Sequence, residues 1–165
     1  MSLALVRGGH LPTLFTLATK LIVPVAAKFG EGRGGGSLCL MRPDGQPILV
    51  GLMGDPSPPK KVREYWDFSQ EKPRRLSRHP EHVSSFQSRN DAEEQYPGAI
   101  RGYDVLGGFS GLPWKAEEGF VIALFRFGGL ISEQMVNKIV QTSDNELAGP
   151  IYSTMVKETT SLDIR

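Results

Sequence analysis

The stretch Val105-Leu106-Gly107-Gly108-Phe109-Ser110-Gly111-Leu112-Pro113, with the apolar run from Glu118 to Leu130 behind it, constrains the fold more than any other part of the chain. A short apolar segment punctuated by glycine reads as a buried strand, and Pro113 ends it. Trp114 to Glu118 reads as a first helical turn, with both glutamates near the positive end of the helix dipole. Phe120, Val121, Leu124 and Phe127 fall at helical spacing. Ile122 and Phe125 widen the stripe, so most of this helix is expected inside. Gly107 and Gly108 lack a Cβ, so a helix, a side chain or a ligand can come close. Tight helix-on-sheet packing is the simpler account of them.

This turn is not a nucleophile elbow. The motif G-x-S-x-G needs glycine on both sides of the serine. Ser110 has Gly108 before it but Leu112 after it, and only three histidines exist to act as base. A serine hydrolase is therefore disfavoured.

A chain of 165 residues fits one domain with its own hydrophobic core. Its net charge of +1 gives no global field towards nucleic acid or acidic lipid. The lone Cys39 excludes an internal disulfide framework and reads as a small buried hydrophobe. With 19 glycines and 12 prolines, many turns are expected. No apolar run approaches the roughly 20 residues of a membrane span. Residues 1–30 contain no acid, as a targeting segment would, but Lys20 interrupts the apolar stretch and Arg7 is the only arginine. The expectation is a loose tip over residues 1–10, an amphipathic helix and a cytoplasmic protein.

In that helix Leu14, Leu17, Ala18, Leu21, Ile22 and Val25 recur at helical spacing, and Pro24 predicts a kink or early end. Gly30 to Gly36 reads as a flexible connector. It lacks the G-K-[ST] ending of a phosphate loop and precedes a strand, not a helix. Ser37–Arg42 and Pro47–Met53 read as a hairpin around Asp44-Gly45. Lys60–Arg78 reads as helix with Val62, Tyr65, Trp66 and Ser69 inward, and Pro73 predicts a division into two. Ala99–Tyr103 reads as strand. Ser132 is the expected N-cap of a helix with Met135, Val136, Ile139 and Val140 on one face. Gly149-Pro150 reads as a breaker, Ile151–Val156 as an edge strand or an arm on a neighbouring subunit, and residues 157–165 as frayed.

The segment around Lys72, Arg74, Arg75, Arg78 and Arg89 is basic. Glu64, Asp67, Glu71 and Glu81 partly balance it, so a solvated face with local ion pairs is the default. An anion pocket is the sharper alternative, because arginine grips carboxylates with two bonds. His79 and His82, three apart, invite a metal reading, but Pro80 disturbs a helix there and no third ligand stands out by spacing. No metal site is therefore assigned. Ser84, Ser85 and Arg89 bring hydroxyls and a guanidinium together, to cap a helix or line a site.

The order helix, hairpin, helical segment, further strands, helix resembles the GlcG/HbpS-like family, small haem-degrading-like α+β domains. The likeness lies in the hairpin Leu38–Met53, in the basic segment from Trp66 to Arg89 around Glu71-Lys72 and Phe86, and in Val105 to Pro113 entering an acidic helix start. It covers roughly residues 11–130. Gly98 to Asp104 is shorter than the family's glycine-rich strand pair and carries Arg101 and Tyr103, and the chain after Gly128 exceeds the family's usual ending. The resemblance implies a single α+β domain of GlcG/profilin-like type, with an antiparallel sheet of about four to five strands and flanking helices. It also implies a sensor or haem binder, often oligomeric, and transfers no catalytic motif.

The resulting expectation is a non-enzymatic module that binds an organic anion or haem and self-associates. Its candidate contacts are Lys72, Arg75, His79, His82, Ser84, Ser85 and Arg89, with no catalytic residue assigned. Two alternatives stand beside it. One is an enzyme using His79 or His82 as general base or metal ligand. The other is a protein-interaction module using Trp66, Trp114 and the C-terminal arm. Nucleic-acid binding is not expected, because the basic run is short.

Overall fold

The computed structural model describes residues 10–163. Helix α1 (Leu11–Phe29) leads into the hairpin β1 (Gly34–Met41) and β2 (Pro47–Asp55). Helix α2 (Val62–Ser77) follows, then β3 (Ala99–Arg101), β4 (Leu106–Ser110), α3 (Trp114–Gly128), α4 (Glu133–Ser143) and α5 (Ala148–Asp163). The four strands form one antiparallel sheet in the order β2-β1-β4-β3. The fold is α+β, as expected, with four strands. The glycine-bearing strand β4 is interior, between β1 and β3.

Alternation along the strands divides the core. Leu38, Leu40 and Phe109 face a large cluster built with α1, α3, α4 and α5. Cys39, Met41 and Leu106 face the other way and pack with Leu76 of α2. The adjacent glycines of β4 serve one face each. A Cβ on Gly107 would lie 2.6 Å from the Phe125 ring of α3, and a Cβ on Gly108 would lie 2.6 Å from Pro73 Cδ of α2. Both are close-approach positions, and helices press on the sheet from both sides because of them. The expected stripe on α3 is buried from Phe120 to Phe125. Full burial of each large side chain contributes roughly 1.5–3 kcal/mol.

Several local expectations are corrected. Pro24 does not end α1, which runs unbroken to Phe29 with Leu21, Ile22, Val25 and Ala26 buried around it. Pro73 does not divide α2, which stays continuous while the proline ring fills the space over Gly108. Core packing outweighs one lost backbone bond in each case. Gly34 to Gly36 is strand, not connector, because it pairs with Met53 to Asp55. Residues 148–163 form neither a strand nor an arm. They are helix α5, with Ile151 and Met155 fully buried, and Pro150 sits in the first turn, where a missing N–H costs nothing. That helix includes most of the stretch expected to fray. Trp66 points outward, and α2 buries Lys72, Pro73, Arg75 and Leu76 beside Tyr65 and Ser69. By length and composition α1 qualifies as membrane-crossing, contrary to the expectation from apolar runs, yet its apolar face packs into the core. The loose tip expected over residues 1–10 lies, except for His10, outside the described residues.

The hairpin turn follows its Asp-Gly signal. Gly45 takes φ +90° and its N–H reaches Arg42 O at 2.9 Å. Ser132 caps α4 by accepting from Met135 N.

Candidate functional site

The exit of β4 and the first turn of α3 bring two buried charges together. Lys72 Nζ on α2 lies 2.9 Å from Glu117 Oε1 and also donates to Phe109 O at 2.8 Å. Glu117 Oε2 accepts from Gly111 N at 2.7 Å and, more weakly, from Leu112 N. Burial pushes the Glu117 carboxyl up, and Lys72 and the two amides pull it back. One of the three Lys72 ammonium donors has no partner among these contacts.

This pair forms part of the wall of a cavity of about 580 Å³. Its aromatic walls come in two sets. Phe86 and Trp114 lie 5.3 Å apart, centroid to centroid, with Arg89 stacked 3.7 Å over Phe86. Phe68 and Tyr96 meet edge to face at 5.3 Å. Tyr65, Ser110, Gly111 and Leu112 add to the lining, and Arg33, Lys61, Arg89, Glu64 and Asp91 supply its exposed charges. Among the described residues, Arg33, Lys61 and Arg89 form no ion pair. Glu64 and Asp91 are likewise unpaired among the described residues, so the three cations exceed the exposed acids of the lining by one, and an aromatic-walled space with that small excess suits a planar organic anion.

Of the seven contacts expected from sequence, Lys72 and Arg89 line this cavity. The others lie elsewhere. Arg75 is used internally: it donates to Ser85 O, Ser88 Oγ, Tyr96 O and Glu71, tying α2 to the following loop. Ser85 Oγ accepts from Ala99 N. Ser84 caps the 3₁₀ turn Ser85–Ser88 in a capping box with Gln87 and donates to Glu118 Oε2 at 2.5 Å. Both serines are fully buried. His79 and His82 stack on each other outside the cavity lining. Sequence reasoning missed Arg33, Tyr65, Phe68, Tyr96 and the pairing of Glu117 with Lys72. Only the meeting of α2, the β4 exit and the loop after α2 brings them together, and no spacing encodes that.

Glu118, next to Glu117, points away from the Lys72 pair. Its carboxyl is fully buried, receives hydrogen bonds from Ser84, Ser143 and Asn145, and has no cation in direct contact among the described residues. Burial pushes its pKa up, and the three donors only partly offset that.

Comparison with family models, curated proteins and solved structures found no match.

Proposed function

We propose that this protein is a non-enzymatic module that binds a planar organic anion between α2 and the β4–α3 turn, in the manner the GlcG/HbpS-like resemblance implies. The observation that carries the reading is the cavity itself: two aromatic pairs with Arg33, Lys61 and Arg89 free of carboxylate partners. An aromatic carboxylate would pack against the Phe86–Trp114 pair and meet Arg89, which already covers the Phe86 ring, with its charge.

The resemblance also implies haem, and the lining fits it less well. Haem iron takes histidine, cysteine, methionine or tyrosine. The lining offers only Tyr65 and Tyr96. Tyr65 donates its phenol proton to Ser57 O, and burial pushes that phenol above its ordinary pKa. The alternative of a histidine-dependent enzyme draws no support from a wall without histidine. Self-association belongs to the same proposal: β2 is an edge strand with exposed Ile48 and Leu52, which pairing with a second copy would cover. Sedimentation measures it.

The test is thermal unfolding with a panel of aromatic and aliphatic carboxylates, and with haem. A ligand at about 100 times its Kd stabilises by about 2.7 kcal/mol. In a chain of this size that raises Tm by roughly 5–10 °C. Aromatic carboxylates are expected to raise it, and Arg89→Ala and Trp114→Ala to remove the shift. A panel in which nothing shifts Tm overturns the proposal, and a shift with haem alone replaces the organic anion.

A further inference from the structure

We infer that His79, Glu81 and His82 form a binding site for a divalent transition ion of the zinc type, separate from the cavity. One potential ligand atom from each of the three lies within 4.8 Å of the others. His79 Nδ1 is 3.8 Å and His82 Nε2 is 3.6 Å from the same oxygen, Glu81 Oε1. Ligands bound to a tetrahedral zinc at roughly 2.0–2.2 Å stand about 3.4 Å apart, so the donor atoms are already near ligand spacing and a ring rotation must aim them at the ion. The carboxylate that faces a nitrogen of each imidazole supplies the third ligand. Two nitrogens and one oxygen suit zinc and leave a fourth position for water.

His82 would ligate through Nε2, the atom that faces Glu81; its buried Nδ1 has no hydrogen-bond partner among the described residues, so the ring is held by its backbone and not by a second-shell contact. The turn carrying the three residues is fixed from below. Arg101 donates to the backbone carbonyls of His82 at 2.9 Å, Leu76 at 2.7 Å and His79 at 3.1 Å, and His82 N donates to His79 O at 2.9 Å. One guanidinium from β3 therefore holds both histidine backbones, which lowers the ordering cost of ligation. The two rings stack with centroids 4.6 Å apart and nearly parallel planes. Their in-plane lone pairs must converge on an ion, so one ring swings about its side-chain bonds. His79 is the ring with room to do so, at 41 % exposure against 19 % for His82.

The experiment titrates the full, tag-free chain with zinc alone by calorimetry, and with cobalt(II) followed by visible absorption. The expected result is one ion per chain and the intense absorption of four-coordinate cobalt. His79→Ala and His82→Ala each weaken binding by more than the roughly tenfold that loss of an outer-shell partner alone costs. Glu81→Gln weakens it less, and His10→Ala leaves it unchanged. His79 and Glu81 are exposed enough that their replacement preserves the metal-free Tm, so these two variants decide the matter even if His82→Ala unfolds. No binding at millimolar zinc overturns the site. So does binding that survives the double replacement His79→Ala/His82→Ala, which would place the ion elsewhere.

Discussion

Lys72 of α2 and Glu117 of α3 meet at 2.9 Å across the end of β4, with side chains only 2 % and 5 % exposed. The contact joins the helices on opposite faces of the sheet at the wall of the cavity. Removing one member of a buried pair strands the other charge, at a cost of about 3–5 kcal/mol. Lys72→Met is expected to lose that much in urea unfolding. Lys72→Met/Glu117→Gln should lose less than the sum of the single variants, because the two groups interact directly. Additive losses would show that the pair is not coupled.

Glu118 predicts a pH dependence. Its folded pKa is raised above the ordinary 4.5, so the folded chain holds this proton more tightly than the unfolded chain. The resulting stabilisation is full below that ordinary value and is lost as pH rises through the folded pKa. Glu118→Gln keeps a neutral side chain at every pH. The stability of the variant relative to the parent should therefore increase as pH rises from 4.5. Urea midpoints measured over a pH series would reveal it, and a difference independent of pH would refute it.

The two glycines of β4 should not tolerate alanine, for different reasons. At Gly107 the obstacle is the Phe125 ring, and at Gly108 it is Pro73 Cδ at 2.6 Å and the backbone carbonyl of Ser69 at 2.8 Å. Overpacking costs about 1–3 kcal/mol. Gly107→Ala should recover part of its loss when combined with Phe125→Leu. Gly108→Ala has no equivalent rescue, since a backbone atom blocks it. Equal rescue at both positions would contradict this.

Cys39 is buried in β1 beneath α2, and burial pushes its thiol up to about 12. The thiolate is the reactive form. Alkylation of the native chain should be undetectable on a timescale that labels an unfolded control fully, and should appear across the unfolding transition. Rapid native labelling would show that α2 lifts from the sheet.

Truncation after Gly149 tests the role of α5. The helix buries Ile151 and Met155 and packs Tyr152 against Phe127 and Arg126. The truncated chain should lose cooperative unfolding. A native-like Tm would mean that α5 is dispensable, as an arm on a neighbouring subunit would be.

From sequence alone, periodicity identified the interior glycine strand and its buried helix, turn and capping chemistry identified the Asp44-Gly45 hairpin and the α4 cap, and the order of elements led through a resemblance to the α+β class. The elements follow from residues close together in the chain, where side-chain alternation and turn chemistry act. Pro24 and Pro73 misled the reading because a proline's local penalty is visible in sequence, whereas the packing that outweighs it is not. Residues 148–163 misled it because the faces that make them a helix, Ile151 and Met155, find their partners only in the assembled core. The candidate site divides in the same way. Lys72 and Arg89 stood out as charges, and capping by Ser84 and the local pairing of Arg75 with Glu71 were among the readings the sequence allowed, but the longer ties from Arg75 to Tyr96, from Ser85 to Ala99 and from Ser84 to Glu118 could not be read until their partners were in place. The cavity, the Lys72–Glu117 contact and the carboxylate facing two histidines arise from side-chain directions and long-range packing, which only the tertiary structure decides.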